Sequence, residues 1–258
     1  MVTNHWDRAE ADGALDGVPR VAYRPERLLE ISPGVQIACD EFGQQDAPVV
    51  LLVMGLGMQM LGWEEGFCAR IADAGFRVVR FDNRDVGRST RWSGHRMGPL
   101  SLARVRLSRK PADRVPYLLT DMAMDAVNLL DALDIPGAHV FGCSMGGMIA
   151  QLMAAQHGDR VLSLTSMMST SGSSKLKQPP LSLYRRLIKP IPTNDLAGYQ
   201  QRWLQNWALL SGPAHPIDRN RLAARCTRSF ERGPSPGGFM RQAAAIIASG
   251  SRRHILRE

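Results

Sequence analysis

The segment Val49–Met54 reads VVLLVM, an apolar run with no polar residue in alternate places. A strand with one wet face alternates. A run without alternation needs cover on both faces, which is the condition of a strand inside a parallel sheet. FRVVRF (76–81), GAHVFGC (137–143) and VLSLTSMM (161–168) are read as further short strands. Helical patterns separate them. WEEGFCARIADAG places Phe67, Ile71 and Ala74 on one side and closes at Gly75. Leu118, Met122, Ala126, Leu129 and Leu133 form an apolar stripe that predicts a helix over about 112–133. MGGMIAQLMAAQH (145–157) follows the third of these strands as a helix. Ahead of them all, Leu28–Ile31 and Val35–Glu41 alternate around Pro33-Gly34, the pattern of an antiparallel hairpin. The order is ββ, then βαβαβαβ. It predicts an α/β fold whose mostly parallel sheet carries helices on both faces.

After Met168 the pattern changes. STSGSSKLKQPP is a Ser/Pro-rich linker, and only helices are read beyond it, near Leu181–Lys189, Leu196–Leu210, Asp218–Arg232 and Gly237–Ser249. The expected organisation is an N-terminal extension (1–21), an α/β core (22–168), and a linker with a helical cap over the sheet edge (169–258).

Composition narrows the function classes. The hydrophobic fraction of 44% and charged fraction of 22% are those of a globular protein. No apolar run approaches the roughly 18 residues that span a membrane, so no membrane partner is expected. The start, MVTNHWDRAEADG, lacks the basic and apolar blocks of a signal peptide. The net charge of +8 raises the question of nucleic acid. Lysine occurs only at Lys110, Lys175, Lys177 and Lys189, so arginine carries most of that charge. The arginines are spread along the chain, with one concentration over 84–114 and no aromatic-interleaved basic motif. They are read as a solvated surface, and no nucleic-acid partner is expected. Cys39, Cys68, Cys143 and Cys226 are scattered without metal-ligand spacing. They are read as free thiols of a cytoplasmic protein. Neither a metal nor a cofactor is expected.

Gly142-Cys143-Ser144-Met145-Gly146 fits G-x-S-x-G and lies between a buried strand and a helix. Chemistry at a serine requires that setting. A sharp strained turn lifts the hydroxyl above the sheet, and small residues two before and two after leave the backbone room to bend. The following helix aims its first N–H groups at the same place, where they favour developing negative charge. Ser144 is the candidate nucleophile, with Gly142 and Gly146 as the glycines of the turn.

On this turn, on VMGLGMQMLGW and on FDNRDVGRST, the sequence resembles the α/β-hydrolase superfamily from about Ala22 onward. The second motif looks like the loop after the family's third strand, in the Met54-Gly55 form of the subgroup similar to aclacinomycin methylesterases. The resemblance implies that the N–H groups of Leu56 and Met145 hold an oxyanion. The third motif resembles the D-x-R-G-x-G-x-S loop, with Asp85 where glycine is commoner. Asp82 and Arg84 are read there as a structural salt-bridged loop with a tight turn at Gly87, in preference to catalytic acid and anion binder.

The resemblance also implies a general base and an orienting acid, in the chain order serine, acid, histidine. Ser169-Thr170-Ser171-Gly172, where some members carry the acid, holds no carboxylate. Of the six histidines, His5 precedes the fold and His139 enters its strand from the far end. His157 closes a helix, His215 lies in the helical block and His254 in the tail. His95, after the fourth strand, is the fallback base. The proton acceptor is therefore expected outside this chain, which reads as truncated where a further core strand should begin. The strand over 161–168 is expected to form an exposed apolar edge. The function read is a serine hydrolase acting on a carboxylic ester or related acyl compound through Ser144, impaired by the missing acid and histidine. The alternative is a non-catalytic pseudo-hydrolase or fragment with a binding role. The expected partner is a small-molecule acyl substrate, and the Met- and Trp-rich segments line its pocket or serve as plain core. The sequence gives no oligomeric state.

Overall fold

A computed structural model of the chain describes residues 18–176, 191–212 and 214–257, with 180, 182, 183, 186 and 189 between them. Its centre is a six-stranded sheet in the order β1-β2-β4-β3-β5-β6. β1 (Tyr23–Ser32) and β2 (Val35–Phe42) form the antiparallel hairpin. Gly34 takes φ 74° in its turn, a conformation that glycine adopts without steric cost. β2 also pairs antiparallel with β4 (Arg77–Phe81). β3 (Val49–Val53) lies between β4 and β5 (Ala138–Cys143), parallel to both, and β6 (Val161–Met167) runs parallel to β5 at the edge. The α/β fold with a mostly parallel sheet is thus the one expected.

Seven α-helices are found among the described residues: α1 (Glu65–Asp73), α2 (Pro99–Leu107), α3 (Leu119–Ala132), α4 (Met145–Gln156), α5 (Leu196–Leu210), α6 (Arg219–Glu231) and α7 (Pro236–Ser249). One face of the sheet packs Leu51, Val53, Val79 and Phe81 against Leu119, Met122, Leu129 and Leu130 of α3 and Ile149 and Met153 of α4. The opposite face packs Phe42, Leu52 and Val78 against Cys68, Ala69 and Ala72 of α1.

Several expectations are corrected. β1 begins at Tyr23, five residues before Leu28, because a register shift between Arg24 and Arg27 breaks the alternation around Pro25. α3 begins at Leu119 instead of Ala112. Pro116 disfavours helical backbone at Val115, which is extended at φ −129°, ψ 148°. The Asp121 carboxylate then accepts the Leu118 N–H at 2.7 Å and starts the helix. α2 was not expected at all. It buries only Val105 and leaves Leu100 and Leu107 exposed, so no apolar stripe announces it. α1 turns the other side inward: Phe67 is 40% exposed and stacks on Trp63 at 5.6 Å. The helix expected near Leu181–Lys189 falls largely outside the described residues, as does His5. The edge expectation matches: in β6, Leu162 is 60% and Leu164 39% exposed. No helix among the described residues is long and apolar enough to cross a membrane.

The arginines are not simply a solvated surface. Arg80 is fully buried, held by Asp40 at 2.7 and 2.8 Å and by Glu65 at 3.0 Å. Arg77, Arg84, Arg241 and Arg252 are buried as well. Much of the formal charge is spent on internal pairs that only the fold reveals.

Candidate functional site

β5 ends at Cys143 and α4 begins at Met145, so Ser144 alone makes the turn. Its backbone sits at φ 56°, ψ −115°, a sparsely populated region for a residue with a side chain, costing about 1–3 kcal/mol. The surroundings impose it. The Ser144 N–H donates to the Met167 carbonyl at 2.9 Å, and Ser169 Oγ donates to the Ser144 carbonyl at 2.8 Å. The glycines are steric requirements. A Cβ on Gly142 would lie 2.3 Å from the Gly146 carbonyl oxygen, and one on Gly146 would lie 2.0 Å from that of Val53. The strand end, the turn and the helix start are therefore packed backbone to backbone.

The loop after β3 lies against the serine. A Cβ on Gly55 would stand 3.3 Å from Ser144 Cβ and 3.8 Å from Ser144 Oγ. The loop makes a turn in which the Met58 N–H donates to the Gly55 carbonyl at 3.2 Å, with Gly57 at φ 70°. That makes Leu56 and Gly57 its two central residues, and glycine at the second of them is what a type II turn demands. Asn83, buried, donates through Nδ2 to the Met54 carbonyl at 2.9 Å and steadies the loop's first residue. On the other side of the serine, Met148 N–H to Ser144 carbonyl, at 3.2 Å, is the first bond of α4. The N–H groups of Met145, Gly146 and Gly147 precede it and have no partner within the helix. The structure thus brings Ser144, Gly55-Leu56 and the amino end of α4 into one place.

The loop after β4 has the structural character read from it. The buried Asp82 carboxylate accepts the N–H groups of Met60 at 2.7 Å and Arg88 at 3.1 Å, and pairs with Arg232 at 2.7 Å. Burial raises its pKa above the usual carboxylate value, while Arg232 and the two N–H groups oppose that rise. A Cβ on Gly87 would lie 2.0 Å from Asp82 Oδ2, which is why the turn needs glycine. Arg84 makes a double contact with Asp125, at 2.5 and 2.6 Å, and stacks on Trp92 and Tyr117. Asp85 stands at φ 73°, where glycine would be at ease. It holds that conformation by accepting from Arg241 at 2.7 and 2.8 Å, Tyr117 Oη at 2.6 Å and the Trp92 N–H at 2.9 Å. Arg232 and Arg241, on the far side of a long helical block, were missed as site-building residues. Their partners lie 150 and 156 positions away in sequence, and no local pattern marks them.

No histidine is hydrogen-bonded to Ser144 among the described residues. The fallback His95 is exposed in the loop after β4, and its backbone carbonyl accepts from Arg241 at 3.1 Å. His139 Nδ1 lies 2.8 Å from Ser163 Oγ, and its ring meets Phe76 edge-on. His157 caps the far end of α4, and His215 and His254 lie in loops.

Beyond the serine loop a small, open cleft is lined by Gly57, Met58, Tyr199, Trp203, Trp207 and Leu222, among others. The two Met- and Trp-rich segments therefore meet across one cleft, with Met58 on the loop and the aromatic rings on α5.

A family model described as alpha/beta hydrolase fold matches residues 48–208. The rhodomycin D methylesterase DauP of Streptomyces sp. (strain C5) is 30% identical over 200 residues, covering 70% of this chain and 60% of that protein. The rhodomycin D methylesterase DnrP of Streptomyces peucetius is 29% identical over 202 residues with the same coverage. The match thus takes in about 60% of the length of these relatives. Among solved structures, a hydrolase of Pseudomonas aeruginosa superposes with a TM-score of 0.59 over 87% of this chain and 73% of that one. At 23% identity that likeness is one of fold.

Proposed function

The chain belongs to the α/β-hydrolase family, and on that premise we propose that it is a serine hydrolase acting on a carboxylic ester through Ser144. The observation that carries this is the strained Ser144 at φ 56°, ψ −115°, seated against Gly55 at the amino end of α4. In the proposed step Ser144 Oγ attacks the acyl carbon. The carbonyl oxygen becomes an oxyanion that accepts the N–H groups of Leu56 and Met145. Each such donor contributes about 3 kcal/mol to the transition state. Collapse expels the alcohol, which takes up the proton lost by the serine, and leaves an acyl-enzyme for water to cleave. The relatives' activity as rhodomycin D methylesterases makes a carboxylic methyl ester the first substrate class to test. The Met58 side chain and the α5 rings that line the neighbouring cleft support an apolar group on one side of that ester.

The rate is set by the proton. With no histidine hydrogen-bonded to Ser144 among the described residues, acylation in this chain is expected to be slow. A fluorophosphonate probe tests both points. Covalent labelling that disappears in Ser144→Ala supports the hydrolase. No labelling of the wild-type chain on any practical timescale would favour the alternative, a fold that binds an acyl compound without turning it over.

A further inference from the structure

Gln242 is fully buried on α7, far in sequence from the serine and its loops. Its side-chain amide makes two bonds at once. Oε1 accepts the Gly57 N–H at 2.8 Å, and Nε2 donates to the Arg84 carbonyl at 2.8 Å. Gly57 is the second central residue of the turn that carries Leu56, and its φ of 70° belongs to only one of the two ways the central peptide can face. In the other, the Gly57 N–H would turn away and a carbonyl oxygen would turn toward Gln242 Oε1, where two acceptors would repel. The donor bond to Arg84 prevents the amide from simply flipping to suit. Next to it, the Phe239 ring covers Gly57, where a Cβ would lie 2.6 Å from Phe239 Cδ2. On the other side of Leu56, Asn83 holds the Met54 carbonyl. The Gly55–Leu56 peptide is therefore held between two buried side-chain amides, one from the loop after β4 and one from α7.

We infer that Gln242 is a positioning residue of the oxyanion site. From the helical block it anchors the Leu56–Gly57 peptide, which follows directly on the peptide carrying the Leu56 N–H. With Asn83 anchoring the Met54 carbonyl before it, Gln242 limits how far that N–H can turn from the substrate. The inference rests on the proposed serine chemistry. It also assigns the helical block a part in the reaction beyond covering the cleft, since α7 would have to be docked for the oxyanion donors to be aligned.

The test compares Gln242→Met, which keeps the volume and loses both bonds, with Gln242→Glu, which keeps an acceptor for Gly57. The readouts are the limiting rate and half-saturating concentration of fluorophosphonate labelling, together with the thermal midpoint. Gln242→Met is expected to lower the limiting rate by about tenfold or more, as a misaligned donor does, with little change in half-saturation. Gln242→Glu is expected to recover part of that rate even where its midpoint is no higher than that of Gln242→Met. If the wild type labels and Gln242→Met labels at the same limiting rate, the inference is overturned while the hydrolase reading stands. If both variants lose rate only in step with their loss of midpoint, Gln242 is packing alone and the inference is equally overturned. A wild-type chain that never labels at Ser144 removes the hydrolase reading and this inference with it. Should Gln242→Met fail to fold, the rate of Gln242→Glu against its own midpoint decides in the same way.

Discussion

The serine turn and the seam beneath the helical block are both tightly built, by opposite means. The turn is made of backbone and missing side chains: Gly142, Gly146 and Gly147 leave no space for a Cβ, and no charge takes part. The seam is made of long charged side chains. Arg228 reaches Glu65 at 2.8 Å, Arg232 reaches Asp82, Glu26 and Gln59, and Arg241 reaches Asp85. Steric constraint suits the turn, because the serine must be held in a conformation that it would leave if given room. Ion pairing suits the seam, because the carboxylates of Glu65, Asp82 and Asp85 lie buried where these helices meet the loops. The contrast has an energetic side. A steric fit fails by overpacking, whereas a buried ion pair fails by leaving a charge without a partner.

The largest effect is expected at the seam. Arg241→Leu leaves the buried Asp85 carboxylate with Tyr117 Oη and the Trp92 N–H but no cation. Removing one partner of such a pair costs about 3–5 kcal/mol. The urea midpoint should fall accordingly, and adding Asp85→Asn to Arg241→Leu should recover part of the loss. An unchanged midpoint in Arg241→Leu would mean that the helical block is not docked through this pair. Next comes the turn. Gly146→Ala places a Cβ 2.0 Å from the Val53 carbonyl oxygen, with no flexible side chain able to yield. A loss of about 2–3 kcal/mol is expected, along with loss of phosphonate labelling, because the strand end and the serine must move apart. A Gly146→Ala chain that labels at the wild-type rate would show that the turn tolerates more freedom than its packing allows.

These two regions also differ in how far the sequence disclosed them. The turn was legible because its requirements are local. Small residues two before and two after a serine, between an apolar strand and a helix, leave few other solutions. The same holds for Val49–Val53, whose unbroken apolar run announces a strand covered on both faces. The seam was not legible. Arg232 and Arg241 read singly as surface charges, and only the fold brings them to Asp82 and Asp85 across some 150 residues. α2 was missed for a related reason: it buries one side chain, and a helix without a stripe has no periodic signature. α3 was placed too early because its stripe ignores Pro116, whose effect falls on the residue before it.

Acid should separate the two regions without any mutation. Burial alone would raise the pKa of Glu65, but the guanidinium groups of Arg80 and Arg228 outweigh that and hold it well below the usual carboxylate range. A carboxyl depressed in the folded state stabilises fully above its unfolded value, about 4.3. That contribution is lost as pH falls through and below this value, at about 1.4 kcal/mol per unit of pH for a single group. Urea midpoints measured from pH 6 down to pH 3 should therefore decline, and Glu65→Gln should flatten the decline while lowering the midpoint at pH 6. The turn holds no titratable pair, so an acid loss that persists in full in Glu65→Gln would place its origin outside this part of the seam.

The smallest effect tests whether the seam depends on ion pairs as such or on buried ones. Arg221 and Arg225 both reach Glu64, at 3.0 and 2.8 Å, but the Arg221 and Glu64 side chains remain 43% and 38% exposed. Water and salt screen such a pair, and holding two long side chains in one geometry costs rotamer freedom. Its contribution is about 0–1 kcal/mol. Arg221→Ala should then shift the urea midpoint slightly or not at all, and raising the salt concentration should erase the shift. Arg241→Leu should keep nearly all of its effect at the same salt, because its partner is shielded from ions. Equal losses from the two variants would mean that the helical block is held by the number of charges facing the sheet. A wide gap between them, insensitive to salt, would mean that it is held by the few carboxylates the fold has buried beneath it.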